Sequence, residues 1–335
     1  MMGRLDQRQS GVALISVLLI VVIATVLGVA MTREQNYAIT RARLFLEQTR
    51  VHQYALGGEE LARQILHADF DKSPLKDALG EDWAQQDLQF EFEDGAVELR
   101  IEDLQGRFNL NSLVERAGGN NMARMRFTNL LNQQGIDPAI SDRLIDWLDG
   151  NQAVGTLGAE DYDYLGLEKP YRTSGQALAD ASELRLLLNM DPASLARLMP
   201  LVTALPDPGS TLNVNTAKPA VLQALVADLT PEVVDSLALS RQDNDGYDNV
   251  QSFMQDESLA GYRVPLEGIG VTSSFFQVSI RARYQARFGY LTSIIQRDVG
   301  DGSMRVIYRD IGTKVYPFST SDALSDVANS EAVDG

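Results

Sequence analysis

From Gly11 to Met31 the chain reads GVALISVLLIVVIATVLGVAM, with no charged residue and only Ser16, Thr25 and Gly28 interrupting large apolar residues and alanine. At about 1.5 Å per residue, roughly twenty helical residues cross a hydrocarbon core of about 30 Å. A short polar leader, MMGRLDQRQS, precedes the run and carries Arg4 and Arg8. Polarity returns at Arg33-Glu34-Gln35-Asn36, but no proline occurs before Pro74, so the helix is expected to continue to about Phe70. In its polar half, Ile39, Leu46, Val51, Leu61 and Ile65 recur among charged residues as one apolar stripe. Gly57-Gly58 is a candidate bend, and Ser73-Pro74 ends the helix.

The period then changes from helical to two. Leu88-Gln-Phe-Glu-Phe-Glu and Val97-Glu-Leu-Arg-Ile-Glu alternate apolar and polar residues, with Asp94-Gly95 between them, which predicts a hairpin. Phe90, Phe92, Val97, Leu99 and Ile101 are expected to share its buried face. Strand character returns only near the C-terminus, at Phe275–Tyr284, Phe288–Arg297 and Met304–Asp310, as a meander. The sheet is therefore assembled from two separated pieces of sequence, and what lies between reads helical.

That helical stretch repeats itself weakly. Asn109-Leu-Asn-Ser-Leu returns as Asn213-Val-Asn-Thr-Ala, and Asp137-Pro138 and Thr230-Pro231 each open a helix with a capping residue and proline in the first turn. Short helices are expected at Ser182-Glu-Leu-Arg-Leu-Leu and Gln251-Ser-Phe-Met. The pattern predicts an α+β protein: a long N-terminal helix on an antiparallel sheet, carrying a large all-α insertion of two units. The divisions are 1–11, a leader; 12–31, a transmembrane or filament-core helix; 32–105 with 271–316, helix and sheet; 106–205 and 206–270, the two units; and 317–335, an acidic tail expected to be disordered.

Charge and composition narrow the function. The formal net charge is −17, and removal of the leader (Arg4, Asp6 and Arg8) makes it −18. That balance disfavours nucleic acid and favours cations. The absence of cysteine excludes disulfides, thiolate zinc and cysteine nucleophiles. His52 and His67 are the only imidazoles, and both lie in the long helix, far from a serine or carboxylate cluster. No nucleophile–base arrangement is legible, so no enzymatic activity is expected.

Two stretches carry candidate chemistry. Asn213-Val-Asn-Thr-Ala-Lys-Pro resembles the opening of a competence-type helix-hairpin-helix module, which grips phosphate through a glycine-rich hairpin. Here the hairpin reads Ala227-Asp228-Leu229-Thr230-Pro231, with no glycine and one carboxylate, and leads to Asp243, Asp245 and Asp248. The alternative reading of the chain, a membrane-tethered nucleic-acid-binding protein, rests on this trace alone. The second stretch follows Asp146-Trp-Leu-Asp149, where a loop with Gly150, Gly155 and Gly158 brings Asp149, Asn151, Glu160, Asp161 and Asp163 close in sequence. Hard cations such as Ca²⁺ take six to eight oxygens from carboxylates, amides and carbonyls. The acids do not follow EF-hand spacing, and a solvated acidic loop explains the same pattern. Asp243-Asn-Asp245-Gly246 is a weaker candidate, since Arg241 and Ser252 stand at the first and last ligand positions.

The apolar N-terminal run admits three readings: a cleaved signal peptide with a weak site at Gly28-Val29-Ala30, a plain anchor, or a segment processed at its start, between Gly11 and Val12. The third resembles type IV prepilins, whose short basic leaders end in glycine. Several ordered motifs join it: Tyr54-Ala-Leu-Gly-Gly-Glu59, Ile101-Glu-Asp-Leu-Gln-Gly-Arg-Phe-Asn-Leu-Asn, Asp146-Trp-Leu-Asp, Gly158-Ala-Glu160, Tyr171-Arg172, Ser182-Glu-Leu-Arg-Leu-Leu, Leu212-Asn-Val-Asn-Thr-Ala and Phe276-Gln-Val. As an ordered set they resemble the K-type minor pseudopilins of type II secretion systems (general secretion pathway protein K).

That resemblance implies a pilin-like fold, with the two insertion units related to SAM-like or helix-hairpin-helix modules. It also implies cleavage by the prepilin peptidase after Gly11, N-methylation of Val12, and a single-pass inner-membrane protein with its C-terminal domain in the periplasm. The expected role is to cap and help nucleate a pseudopilus that supports export of folded proteins. Its partners would be the I-type and J-type minor pseudopilins, the inner-membrane secretion platform and exoproteins, with no nucleic acid. It implies Ca²⁺ in the insertion, at the loop holding Asp149, Asn151, Glu160, Asp161 and Asp163. Asn151 stands where related sequences often have aspartate, which lowers ligand charge. Most pilins have glutamate at the fifth mature position; Ser16 occupies it here, a substitution the K-type family shares. A subunit with nothing above it has no neighbouring amine for such a carboxylate, and a bare one in hydrocarbon is costly.

Overall fold

The computed structural model describes residues 9–85, 88–114 and 121–312. Helix α1 runs unbroken from Gln9 to Lys72. A strand hairpin follows, β1 (Leu88–Phe92) and β2 (Gly95–Asp103). The insertion then contributes β3 (Phe108–Asn109), α2 (Asn121–Gln133), α3 (Ala139–Leu148), α4 (Asp161–Leu165), α5 (Pro192–Leu198) and β4 (Val202–Thr203). It continues with β5 (Leu212–Asn213), α6 (Pro219–Gln223), α7 (Pro231–Asp243), α8 (Val250–Met254) and β6 (Ile269–Gly270). Strands β7 (Phe275–Tyr284), β8 (Arg287–Arg297) and β9 (Met304–Ile311) close the chain. The leader through residue 8 and the tail 317–335 lie outside the described residues.

The five long strands form one antiparallel sheet in the order β1-β2-β7-β8-β9. Strands β2 and β7 are neighbours in space, in register from Gly95 opposite Tyr284 to Asp103 opposite Phe276. The insertion therefore leaves and re-enters the sheet at one point. One face of the sheet meets α1 through Val97, Leu99, Ile101, Val278, Ile280, Leu291 and Ile295. On the helix the buried apolar side chains are Val51, Ala55, Ala62 and Leu66. Leu61 and Ile65 only flank this contact, and Ile39 and Leu46 are exposed, so the predicted stripe is displaced and shorter than expected. Its centre is built of small residues because helix and sheet approach closely there. A Cβ on Gly58 would lie 2.7 Å from Val97 Cγ1, so this glycine serves close contact within a continuous helix. The hairpin forms as expected, but on the edge strand β1 Phe92 is exposed and Phe90 only half-buried, although the ring of Tyr54 on α1 lies 5.5 Å from that of Phe92.

Within the insertion two cores form. The first gathers Phe108, Leu110, Phe127, Leu130, Leu144, Trp147 and Tyr164, and the second gathers Val214, Leu222, Leu225, Leu237, Tyr247 and Phe253. Each unit is closed by a short parallel pair, β3 with β4 and β5 with β6. The two helix starts differ in detail: Asp137 Oδ1 accepts from the Ala139 N–H at 3.0 Å, whereas the Thr230 side chain makes no capping bond. The expected helix at Ser182 is a 3-10 turn, Ala181–Leu186.

A buried polar seam fixes the insertion to the sheet. Asp103, at the end of β2, accepts from Ser273 Oγ at 2.6 Å, Asn213 Nδ2 at 3.1 Å and the Thr216 hydroxyl. Beside it Arg297 pairs with Asp77 and lies against the rings of Phe276 and Phe70. Asp69 is buried next to this arginine. Burial, then the Glu81 and Asp77 carboxylates, push it up to about 7, against the attraction of Arg297.

Candidate metal centre and the N-terminal helix

Helix α3 is amphipathic, and its apolar side enters the first insertion core through Ile140, Leu144, Trp147 and Leu148. Its last turn presents Asp146, and Asp149 follows as the C-cap, three residues on and therefore on the same side. The loop folds back over Asp146, whose Oδ2 accepts the Gly155 N–H at 3.0 Å. The chain passes so close that a Cβ on Gly158 would lie 1.8 Å from that oxygen. This return brings Glu160, the residue before α4, to the same place. The carboxylate oxygens of Asp146, Asp149 and Glu160 lie within 4.8 Å of one another.

Glu160 is the telling member. It is 2% exposed, yet neither carboxylate oxygen has a hydrogen-bond partner among the described residues. The N–H of Asp163, which a capping glutamate would serve, instead meets the Glu160 carbonyl at 2.8 Å. Burial pushes Glu160 up to about 7, with Asp146, Asp149, Asp161 and Asp163 adding repulsion. Asp146 is raised for the same first reason, burial, offset in part by the Gly155 N–H. Three converging carboxylates, one of them orphaned and all oxygen donors, fit a hard cation such as Ca²⁺. They do not suit a soft metal, which prefers sulfur or imidazole.

Of the five loop residues singled out in the sequence, the fold brings together Asp149 and Glu160. The other three support the loop. Asp161 accepts from the Thr173 N–H and hydroxyl and from Arg172, and these bonds hold it below the usual carboxylate range. Asp163 Oδ2 accepts the Glu160 N–H at 3.1 Å, and Asn151 Oδ1 accepts the Ala153 N–H at 2.7 Å. Asp146 completes the trio in their place. Its spacing from Asp149 was the available signal, but burial on a helix otherwise facing a core concealed it. Asp243 and Asp245 join no such group among the described residues. Arg241 turns inward to the Val214 and Ala217 carbonyls at 2.8 and 2.9 Å, away from any approaching phosphate.

At the other end of the molecule, the apolar part of α1 is exposed from Val12 through Met31, and this helix is long and apolar enough to cross a membrane. Gly11 lies in its backbone, one residue before Val12. Ser16 Oγ donates to the Val12 carbonyl at 2.9 Å, and Thr25 and Thr32 do likewise four residues back. Each hydroxyl is thus satisfied without water, as an apolar setting requires. His52 is half-buried and His67 exposed on the same helix, and neither joins a metal group among the described residues.

Residues 106–207 and 212–272 match the two parts of the family described as Type II secretion system (T2SS), protein K. The chain is 36% identical over 326 residues to the Type II secretion system protein K of Pseudomonas aeruginosa, covering 93% of this chain and 96% of that one. It is 34% identical over 320 residues to that of Klebsiella pneumoniae, covering 88% and 98%. Among solved structures it resembles a chain in the crystal structure of the GspK-GspI-GspJ complex from the enterotoxigenic Escherichia coli type 2 secretion system. The TM-score is 0.71 at 25% identity, over 82% of this chain and all of that one.

Proposed function

This chain belongs to the type II secretion system protein K family, and from that standing as a minor pseudopilin we propose that it caps the pseudopilus and helps to start its assembly. The observation that carries the proposal is the place of the insertion. Everything from Leu104 to Ser274 leaves a single point between β2 and β7. A shaft of pilin-like subunits stacks helix on helix, and a body this broad suits a position occupied once, at the end. Ser16 agrees with that position, because its hydroxyl is satisfied within its own helix and needs no amine from a subunit above.

The N-terminal segment supports a matching life history. Cleavage after Gly11 by the prepilin peptidase and methylation of Val12 would leave α1 stored in the inner membrane, with the remainder in the periplasm. Extraction would convert the same apolar surface into a filament contact. The similar GspK chain is found with GspI and GspJ, so I-type and J-type pseudopilins are the partners we assign here. The platform and exoproteins are further partners on the same reading. We also read the two insertion units as related helix-hairpin-helix or SAM-like modules that have no phosphate grip and serve as scaffold. Among the described residues no catalytic arrangement supports an enzymatic role.

Ca²⁺ at the loop fits this role structurally. When bound, it supplies positive charge that joins the end of α3 to the start of α4. Asp146, Asp149 and Glu160 would hold it, while Asp161 and Asp163 keep the loop in place. The net charge of −17 and the inward-turned Arg241 leave nucleic acid binding unsupported.

The reading is tested by co-expressing the tagged full chain with its I-type and J-type counterparts and isolating it from solubilised membranes. A stable complex of the three is expected. Recovery of the chain alone, with both counterparts expressed and folded, would contradict it.

A further inference from the structure

A second group of carboxylates sits where α1 gives way to the sheet. Asp69 in the last turns of α1, and Asp77 and Glu81 in the connection to β1, each place an oxygen within 4.8 Å of the other two. Asp69 is 4% and Asp77 1% exposed. Oδ2 of Asp69 and Oε1 of Glu81 are buried and accept no hydrogen bond among the described residues. The remaining contacts hold the group in shape. Glu81 Oε2 accepts the Ala78 N–H at 2.8 Å and Trp83 Nε1 at 2.9 Å. Asp77 accepts the Ser273 N–H at 2.7 Å and a bond from Arg297. A carboxylate oxygen has two acceptor positions, so these bonds leave Asp77 able to ligate as well.

Charge decides what the group lacks. Arg297 contributes one positive charge and spends it mainly on Asp77; its Nη1 stands 3.8 Å from Asp69 Oδ2, beyond hydrogen-bond reach. The adjacent Lys72 turns outward to Asp82. Three carboxylates against one guanidinium leave two negative charges in a buried place. Water fills hydrogen-bonding positions without supplying charge, a proton on Asp69 offsets one charge at most, and uncompensated buried charge is strongly disfavoured. A divalent cation removes the deficit and gives both orphaned oxygens a partner.

We propose that Asp69, Asp77 and Glu81 form a second divalent-cation site, separate from the loop at Asp146, that takes a hard ion such as Ca²⁺. It lies in the seam itself. Through Asp77 the ion bears on Ser273 and Arg297, and so on the strands that carry the insertion. A cation here braces the base of the insertion, whereas the loop at Asp146 stiffens its interior.

The protein's two tryptophans make the sites separable. Trp83 donates to Glu81, and Trp147 neighbours Asp146 on α3. Terbium, a luminescent Ca²⁺ substitute sensitised by nearby tryptophan, is added to the detergent-solubilised full chain, with excitation where tyrosine does not absorb. In a Trp147→Phe chain, Trp83 alone is expected to sensitise terbium, and Ca²⁺ is expected to quench the signal by displacement. Adding Asp69→Asn and Glu81→Gln should weaken terbium binding on the order of tenfold or more, since affinity follows ligand charge. Near-UV dichroism establishes that this variant folds; the single Asp69→Asn change replaces it otherwise. Darkness in the Trp147→Phe chain, or a signal indifferent to loss of Asp69 and Glu81, overturns the proposal. A Trp83→Phe chain reports the loop alone, so failure of one site is distinguished from failure of the other.

Discussion

Asn111 and Leu178 exchange two hydrogen bonds in the core of the first insertion unit. The Leu178 N–H donates to Asn111 Oδ1 at 2.8 Å, and Asn111 Nδ2 donates to the Leu178 carbonyl at 3.0 Å. The second unit repeats the device, with Asn215 serving the N–H and carbonyl of Tyr247 at 2.7 and 3.0 Å. The Asn-x-Asn repeat is thus a pair of side-chain clamps on backbone that would otherwise be buried unpaired. Replacing Asn215 by alanine strands two buried backbone groups, and replacing Asn111 strands three, because its Nδ2 also donates to the Leu205 carbonyl at 2.9 Å; each change is expected to cost about 3 kcal/mol. Thermal unfolding of the two variants checks this; a loss at one site alone would contradict the equivalence.

Glu59 on α1 joins the far edge of the sheet, accepting from Arg309 Nε and Nη2 at 2.8 and 2.7 Å. Burial pushes its carboxyl up, but Arg309 and the Ser293 hydroxyl outweigh burial, and it titrates below its ordinary value. Its folded pKa is therefore below the unfolded one. The stabilisation is present above the unfolded value, about 4.3, and is lost as pH falls through the folded value. Arg309 is 48% exposed and can turn to water, so Glu59→Gln should cost only about 1–2 kcal/mol near neutrality. The difference from the parent chain should shrink in acid, as followed by urea unfolding at several pH values.

Calcium removal tests the loop. EDTA is expected to lower the melting temperature of the full chain, and Ca²⁺ to restore it. An ion present at about a hundred times its dissociation constant adds about 2.7 kcal/mol. Glu160→Gln and Asp146→Asn should each abolish much of the loop's share of this response. Asn151→Ala should weaken it less, because Asn151 bonds within the loop. An unchanged melt in EDTA would contradict the metal reading.

Gly158→Ala needs no new chemistry to interfere at the same place. The added Cβ would overlap the Asp146 carboxylate and force it from its position. The expected result is a loss of calcium binding at the loop comparable to Asp146→Asn, measured by Ca²⁺ displacement of terbium in a Trp83→Phe chain, which reports the loop alone. Retention of the ion would show that Asp146 is not needed.

Processing is checked at the N-terminus. Gly11→Leu should block cleavage, leaving the precursor's slower mobility on a gel and an unmethylated chain by mass spectrometry. Normal mobility would contradict the prepilin reading.

Much of the fold was legible because periodicity reports burial. The alternation at Val97, Leu99 and Ile101 survives in β2, and the C-terminal meander lies within a residue or two of its expected limits. What failed had geometric causes. Ile39 and Leu46 look like core positions, but the sheet does not reach that part of α1, so they are exposed. Phe92 follows the right period on an edge strand, where the Tyr54 ring of α1 meets it on one side and leaves the rest exposed. In the loop, acidic character identified the region but not the converging members. Asp161 is claimed by Arg172 and Thr173, residues whose nearness no local spacing reveals. The cluster of Asp69, Asp77 and Glu81 escaped notice because a helix end, a turn and a buried arginine from β8 assemble it.

The central claim, that this chain ends the filament, is tested most directly by counting and locating it. Pseudopili are assembled in cells that overproduce the major subunit and carry the full chain with a small epitope tag, then labelled with gold and imaged. The account predicts at most one labelled position per filament, at one end, and none along the shaft. Label distributed along the length would contradict it.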